Sequence, residues 1–272
     1  MFTIFIVIKI SFSPTVKVCG LREPSKKIVG GRPASNHPWI AGIVDRSTGA
    51  SLPYCGGVLI NDRYVMTAAH CLTQFTPQDV MILLGARGNL SSLFQGEFYA
   101  VEKFIPDPRY SSIDRHQLYD FGLIKLDRQV KFDANITPVC LPGRNFKGDK
   151  FDSLLVAGWG RVSENGPRSP VLLETEIIEM PLSECQKLLG TKKITEGHIC
   201  AGDDKRDACS GDSGGPLLTT DKSTGRVYTV GVTSWGVECA HSKYPGVFSK
   251  VWSYAEFINS STFDARYCNN KV

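Results

Sequence analysis

Short apolar stretches separated by turn-forming residues recur along the whole chain. They lie at residues 57–60, 80–84, 121–126, 154–157, 172–178, 227–232 and 246–251. Each stretch has the length of a β-strand and is bounded by turn residues such as Gly, Pro, Asn, Asp or Ser. Many short strands joined by Gly- and Pro-rich turns are typical of a sandwich or a barrel. The pattern therefore predicts an all-β protein.

The clearest helical signal lies near the carboxyl end of the chain. Ser253 can cap a helix there, because Tyr254, Phe257 and Ile258 follow at helical spacing. No internal repeat at a solenoid period interrupts the strand pattern. We expect a short C-terminal helix as a minor part of the fold.

An apolar run at residues 2–10 opens the chain. It is too short to span a bilayer, and its length suits the hydrophobic region of a signal peptide. We therefore assign residues 1–13 to a signal peptide, with an approximate end. No later stretch approaches the roughly 18 apolar residues of a membrane span. The protein is predicted to be secreted and extracellular, without a membrane span.

The chain contains nine cysteines. That number is high for a cytosolic protein, whose thiols stay reduced, and ordinary for a chain that crosses an oxidising compartment. None of the cysteines falls in the close Cys-x-x-Cys or His-x-x-x-His spacing of zinc sites. We expect disulfides, no structural metal and no cofactor.

Charge and glycosylation motifs add to this picture. The formal charge of +4 is spread along the chain, without the block of like charges that marks a nucleic-acid-binding arm. No nucleic-acid partner is expected. In a secreted chain the Asn-x-Ser/Thr pattern marks candidate N-glycosylation sites, and it occurs at Asn89, Asn135 and Asn259.

The hexapeptide GDSGGP at residues 211–216 holds one hydroxyl, that of Ser213, in a glycine-rich turn. It fits the G-x-S-x-G nucleophile elbow of α/β-hydrolases, but that elbow needs a helix directly after the serine. The sequence Gly214-Gly215-Pro216 excludes such a helix. The α/β-hydrolase order also places the acid and the histidine after the serine, where too little chain remains.

Two upstream motifs supply a candidate base and acid. The segment TAAHC at residues 67–71 contains His70, and YDFGLIKL at residues 119–126 contains Asp120 at the start of a predicted strand. A kinase would also contain an Asp-Phe-Gly triplet, but it requires a Gly-rich loop and an H-R-D motif that this chain lacks. Singly, such a histidine is usually structural and a Gly-Ser run is usually only a turn.

These motifs occur in a characteristic order. IVGG at residues 28–31 comes first, then TAAHC, the aspartate, GDSGGP and finally SWG at residues 234–236. In this order and approximate spacing the chain resembles the trypsin-like serine proteases from residue 28 to residue 258. The resemblance implies a protease domain at residues 28–272. It would form two antiparallel six-stranded β-barrels, about 28–138 and 139–272, packed around an active-site cleft.

The resemblance implies a role for each motif residue. Ser213 would be the nucleophile, His70 the general base and Asp120 the group that orients His70, as in the chymotrypsin-type template. The backbone N–H groups of Gly211 and Ser213 would form the oxyanion hole. The alternative is a non-catalytic relative that acts as a binding module. Such relatives usually carry a substitution in the triad, and here all three residues are present.

The same resemblance predicts a substrate pocket for basic side chains. Asp207 lies where the family has the floor of the primary pocket, and a buried carboxylate there calls for arginine or lysine. The other positions implied to bind substrate are Ser234, Trp235, Gly236 and Gly246. The expected partners are therefore proteins or peptides with Arg or Lys before the cleaved bond, together with protein protease inhibitors.

The resemblance further implies an inactive precursor. A trypsin-like activating protease would cut between Lys27 and Ile28, separating a propeptide at residues 14–27 from the protease domain. The new Ile28 ammonium would pair with Asp212 and order the loop that carries Gly211 and Ser213.

Four disulfides are implied by the resemblance. The pairs are Cys19–Cys140, Cys55–Cys71, Cys185–Cys200 and Cys209–Cys239. They leave Cys268 as the odd cysteine, which either keeps its thiol or pairs with another chain.

Overall fold

A computed structural model describes residues 19–21, 36–47, 52–87, 89–90, 95–113, 118–143, 153–163, 166–191, 193–202, 211–237 and 244–268. This part of the chain folds into two antiparallel β-modules. The prediction of an all-β protein is confirmed.

The first module is a closed barrel of six strands. The strands are β1 (Ile40–Asp45), β2 (Cys55–Leu59), β3 (Tyr64–Thr67), β4 (Val80–Arg87), β5 (Gln95–Pro106) and β6 (Gly122–Leu126). They are arranged in the order β1-β2-β3-β6-β5-β4. Two short 3-10 helices, Ala69–Leu72 and Pro77–Asp79, lie between β3 and β4. Strands β2 and β3 are buried at every position, which accounts for their nearly continuous apolar sequence.

The second module is a sheet of seven strands that curls back on itself. The strands are β7 (Leu154–Gly158), β8 (Leu173–Ile177), β9 (Glu179–Met180), β10 (His198–Ala201), β11 (Pro216–Thr220), β12 (Val227–Trp235) and β13 (Gly246–Lys250). Their order is β8-β7-β11-β12-β13-β10-β9. The two edge strands, β8 and β9, are separated along the chain only by Ile178. One continuous stretch of chain thus forms both edges, and counting it once yields the six strands predicted.

The helices differ in part from the sequence prediction. A C-terminal helix, α2 (Ala255–Ser261), is present, and it continues from a 3-10 helix at Val251–Tyr254. Ser253 lies inside that 3-10 helix, and no side chain caps α2. An additional helix, α1 (Leu182–Leu188), begins after Pro181 and contains Cys185.

Packing, rather than a cap, holds α2 in place. The ring of Tyr254 stacks on Phe121 of the first module with 4.1 Å between ring centroids, and Phe257 meets Phe121 edge-on at 6.1 Å. Aromatic pairs in these geometries contribute about 0.5–1.5 kcal/mol beyond their buried area. The C-terminal helix therefore packs on the first module beside the predicted catalytic Asp120.

Three disulfides are present among the described residues. They join Cys19 to Cys140, Cys55 to Cys71, and Cys185 to Cys200. Cys209 and Cys239 lie outside the described residues. Cys268 is buried in the same apolar cluster as Cys19 and Cys140, and burial raises the pKa of its thiol.

The three candidate glycosylation sites lie at the surface to different degrees. Asn89 is exposed, whereas Asn135 and Asn259 are partly exposed. Within the part of the chain that the structure describes, no helix is long and apolar enough to cross a membrane.

A buried hydrogen bond connects the two modules. His37, which precedes β1, contacts Glu174 of β8 with 2.6 Å between Nε2 and Oε2. Their side chains are 0% and 8% exposed. A charged hydrogen bond sheltered from water is worth more than a surface pair. This contact should therefore stabilise the docking of the two modules.

We predict that Glu174→Ala lowers the free energy of unfolding by about 1.5–3 kcal/mol, the usual range for a hydrogen bond to a charged group. Urea unfolding followed by fluorescence measures the change. Glu176→Ala is the matched control, because Glu176 lies on the same strand and is exposed; it should stay within about 0.5 kcal/mol of the wild type. Equal losses in the two variants would contradict the prediction.

Candidate active site

The strand register explains why the candidate base and acid meet. Thr67, the last residue of β3, pairs with Gly122, the first residue of β6. Because these strands are antiparallel, the chain after Thr67 and the chain before Gly122 lie at the same end of the barrel. His70 follows Thr67, and Asp120 precedes Gly122. Residues fifty positions apart in the sequence are thereby brought together.

Two hydrogen bonds join His70 to Asp120. The backbone N–H of His70 donates to Asp120 Oδ1 at 2.9 Å, and the ring Nδ1 lies 2.8 Å from Oδ2. An ionised carboxylate only accepts hydrogen bonds, so Nδ1 carries the proton in this arrangement. Nε2 is then the basic nitrogen of the neutral ring. The His70 side chain is 21% exposed, whereas that of Asp120 is fully buried.

The second module also contributes partners to Asp120. The hydroxyl of Ser234, on β12, donates to Oδ2 at 2.5 Å. The hydroxyl of Ser249, on β13, donates to the backbone carbonyl of Asp120 at 2.7 Å. A buried carboxylate is costly unless hydrogen bonds compensate it. Asp120 obtains that compensation from both modules.

Ser213 lies on a turn directly before β11, and this turn docks on the first module. The N–H of Gly56, on β2, donates to the carbonyl of Ser213 at 2.7 Å. Gly214 has φ +78°, and a Cβ there would overlap the hydroxyl of Thr67. Only glycine satisfies both the backbone conformation and the close approach. The glycine run is therefore required where the two modules touch.

The Cys55–Cys71 disulfide lies between the candidate base and the candidate nucleophile. Cys71 Sγ is 3.6 Å from His70 Nε2 and 3.6 Å from the carbonyl oxygen of Ser213. One sulfur atom thus contacts both residues, which places the Ser213 turn beside the His70 ring. Cys55, His70 and Cys71 also bring potential metal ligands together. Both sulfurs are consumed in the disulfide, so this cluster does not suit a metal ion.

Asp212 packs closely against the loop that follows β7. The N–H of Gly160 donates to Asp212 Oδ1 at 2.8 Å. A Cβ on Gly158 or on Gly160 would overlap the Asp212 carboxylate. Gly211, which precedes Asp212, has φ +103°, a conformation that glycine adopts without strain. Glycines therefore provide both the space for the Asp212 carboxylate and the backbone conformation directly before it.

The structure brings together part of the predicted substrate pocket. Gly236 follows β12 and Gly246 begins β13, and a Cβ on Gly236 would lie 3.9 Å from the Gly246 Cα. Trp235 ends β12 beside them and is half-buried. The side chain of Ser234 is directed to Asp120. Asp207, Lys27 and Ile28 lie outside the described residues.

Sequence reasoning missed the contacts that two serines make with Asp120. The sequence motifs do not include Ser249, and the resemblance places Ser234 among the substrate-binding positions rather than beside Asp120. Both serines are buried. Ser249 is the one hydroxyl residue of β13, and a buried hydroxyl needs a hydrogen-bond partner, which was the signal available in the sequence.

The chain has two β-modules, with a His–Asp pair and a serine in a glycine-rich turn at their junction. These features define the class of serine endopeptidases with a chymotrypsin-like fold. The family model described as "Trypsin" matches residues 28–258. The chain therefore belongs to the trypsin family of serine proteases, and the family resemblance seen in the sequence is confirmed.

Curated relatives agree with this assignment. "Venom serine protease 34" of Apis mellifera is 35% identical over 257 residues, which is 92% of this chain and 62% of that protein. "Clotting factor G beta subunit" of Tachypleus tridentatus is 36% identical over 264 residues, 91% of this chain and 83% of that protein. "Melanization protease 1" of Drosophila melanogaster is 35% identical over 279 residues, covering 91% and 68%. The chain thus spans less than two thirds of the Apis mellifera protein.

Proposed function

We propose that this protein is a secreted endopeptidase that hydrolyses peptide bonds after arginine and lysine. The proposed triad is Ser213 as nucleophile, His70 as general base and Asp120 as the orienting acid. The observation that carries the proposal is the 2.8 Å contact between His70 Nδ1 and the buried Asp120 carboxylate. That contact leaves Nε2 as the basic nitrogen on the side of the ring where the Ser213 turn docks.

The geometry supports a sequence of proton transfers. Ser213 Oγ attacks the scissile carbonyl carbon, and its proton passes to His70 Nε2. The imidazolium that forms is stabilised by the Asp120 carboxylate, whose position Ser234 helps to maintain. His70 then returns the proton to the leaving amine, and an acyl-enzyme on Ser213 remains. Water, deprotonated by His70, attacks that ester, and the acid product leaves as His70 returns the proton to Ser213 Oγ.

Negative charge develops on the carbonyl oxygen during both attacks. In the proposal the backbone N–H groups of Gly211 and Ser213 receive it. The positive φ of Gly211 supports this assignment, because such a turn can present successive N–H groups to one anion. Loss of one such donor typically costs about 10²- to 10³-fold in turnover.

The proposed specificity depends on Asp207 as the floor of the primary pocket. The facing glycines Gly236 and Gly246 support an open pocket, since neither has a side chain that would block a long substrate residue. Ala208 lacks a hydroxyl that would favour an ammonium group. We therefore expect arginine to be preferred over lysine.

The close packing around Asp212 supports a role for this residue in the proposed activation by cleavage. Cleavage after Lys27 would create an ammonium on Ile28 that pairs with the Asp212 carboxylate. Movement of Asp212 would be transmitted directly to Gly211 and Ser213 on either side of it. The Cys19–Cys140 disulfide supports a propeptide that stays attached after cleavage. Relatives named for clotting and melanization support an extracellular protein substrate.

Replacing the nucleophile tests the chemistry. Ser213→Ala should lower peptide hydrolysis by about 10⁶-fold, because acylation needs the hydroxyl, and it should abolish labelling by a serine-directed fluorophosphonate. Circular dichroism and the urea unfolding midpoint serve as controls for folding. If the cleaved wild type, with an intact fold, neither hydrolysed a peptide nor reacted with the probe, the binding-module alternative would replace this proposal.

Blocking the cleavage site tests activation. Lys27→Gln should remain uncut by trypsin and inactive towards an arginyl substrate, whereas the wild type should gain activity together with a new Ile-Val-Gly-Gly terminus. N-terminal sequencing and the hydrolysis rate are followed in the same samples. Non-reducing and reducing gels show whether the propeptide separates only on reduction. Full activity of uncut Lys27→Gln would refute the activation mechanism.

A peptide library tests specificity. The activated protein should cleave after arginine and lysine far more often than after phenylalanine, leucine or alanine, because a desolvated carboxylate penalises uncharged side chains. Asp207→Ser should reduce cleavage after basic residues most. Comparable cleavage after phenylalanine and arginine would exclude Asp207 as the pocket floor.

A further inference from the structure

Tyr119, the residue directly before Asp120, has an unusual backbone conformation. Its φ is +58°, and it is the one non-glycine residue with positive φ in the described ranges. The left-handed conformation costs an L-residue roughly 1–2 kcal/mol. A bulky residue holds it only where neighbouring contacts compensate. The contacts of Tyr119 therefore affect how Asp120 is presented to His70.

Arg109 supplies a side-chain contact to Tyr119. Its guanidinium lies over the Tyr119 ring, 4.3 Å from the ring centroid. Both side chains reach the surface: the Arg109 side chain is 53% exposed and Tyr119 is 40% exposed. A guanidinium over an aromatic face is attracted by the ring and packs flat against it.

Asp107 holds the guanidinium of Arg109 in this position. Arg109 Nε donates to Asp107 Oδ1 at 2.9 Å, and one terminal nitrogen donates to Oδ2 at 2.7 Å. The backbone N–H of Arg109 also donates to Oδ1 at 2.9 Å. Asp107 is buried, and its hydrogen bonds raise the pKa of Arg109. A bidentate pair of this kind restricts the orientation of the guanidinium plane.

The same group of residues encloses the backbone of Asp120. The N–H of Asp107 donates to the Phe121 carbonyl at 2.8 Å, and the N–H of Phe121 donates to the Tyr119 carbonyl at 2.7 Å. Asp120 lies between these two residues. Arg109 thus contacts one neighbour of Asp120 directly and is connected to the other through Asp107.

We propose that Arg109 is a positioning residue for the reaction. By stacking on Tyr119 it maintains the left-handed conformation that directs Asp120 Oδ2 at His70 Nδ1. Of its two aromatic neighbours in the described chain, Tyr119 at 4.3 Å is nearer to the guanidinium than Tyr254 at 5.9 Å, so we infer that Arg109 acts through Tyr119. The inference deepens the proposed function and rests on it.

The chain offers a matched control at Arg128. Its guanidinium lies over the Tyr99 ring, also 4.3 Å from the centroid, and pairs with Asp127 at 3.2 Å. The Arg128 side chain is 52% exposed, nearly the same as that of Arg109. Tyr99 is on β5, and Arg128 follows β6 at the end opposite Asp120. Arg128→Ala therefore removes a similar contact away from the triad, together with the hydrogen bond from Arg128 to the Phe98 carbonyl at 2.8 Å.

The experiment uses the full chain, activated by cleavage after Lys27. Arg109→Ala should lower kcat for an arginyl substrate about tenfold, the scale expected of a small misplacement of a catalytic group, with KM changed less than twofold. The acid limb of the pH profile should move to lower pH, because a displaced carboxylate stabilises the imidazolium less. Arg128→Ala should leave kcat and the profile unchanged.

A double variant separates positioning from general stability. Asparagine adopts the left-handed conformation more readily than other non-glycine residues, so Tyr119→Asn should not need the guanidinium. Arg109→Ala combined with Tyr119→Asn should recover most of the lost kcat. If Arg109→Ala does not fold, Arg109→Lys replaces it, because lysine keeps the charge without the planar stack.

A spectroscopic measurement distinguishes failure of this inference from failure of the proposed function. The proton NMR resonance of His70 Nδ1–H reports the hydrogen bond to Asp120 whether or not peptides are cut. Arg109→Ala should weaken or broaden it, and Arg128→Ala should not. Equal kcat losses in the two single variants, no rescue by Tyr119→Asn, or an unchanged resonance in Arg109→Ala would overturn the inference. An inactive wild type whose resonance still responds to Arg109 would contradict only the function.

Discussion

A single buried carboxylate sets the main constraint on this structure. Asp120 is fully buried, and burying a negative charge without partners would cost several kcal/mol. Its partners come from both modules: His70 from the first, and Ser234 and Ser249 from the second. Neither module alone can satisfy it. The arrangement of the candidate site therefore depends on correct docking of the two modules, and docking is stabilised in return by the hydrogen bonds at the site.

The same junction imposes steric demands that only small residues meet. Ser213 belongs to the second module, yet its carbonyl accepts a hydrogen bond from Gly56 of the first. Gly214 lies so close to Thr67 that any side chain would overlap it. A motif that reads as a flexible turn in the sequence is thus a tightly packed contact between modules. Its glycines permit close approach, which brings the Ser213 turn against the first module.

Further contacts reinforce the junction at a distance from the candidate site. The His37–Glu174 pair connects the segment before β1 to β8. Helix α2 and the 3-10 helix before it follow the second module but pack Phe257 and Tyr254 on Phe121. Past that helix, Asp264 accepts hydrogen bonds from Tyr64 and Lys125 of the first module. The last part of the described chain thus belongs to the second module by sequence and to the first by contact.

The sequence by itself determined the strand-rich fold class, the family and the chemical groups at the site. Short apolar stretches, cysteines and short motifs are local, so they can be interpreted without knowing which segments meet. Only the tertiary structure decided that β8 and β9, separated along the chain by Ile178 alone, form opposite edges of one sheet. It also decided that Ser249 supports Asp120, that Tyr119 is left-handed and that His37 meets Glu174. Each of these features joins residues far apart in the chain or depends on how the modules pack. Their positions follow from barrel closure and strand register, which local sequence patterns do not encode.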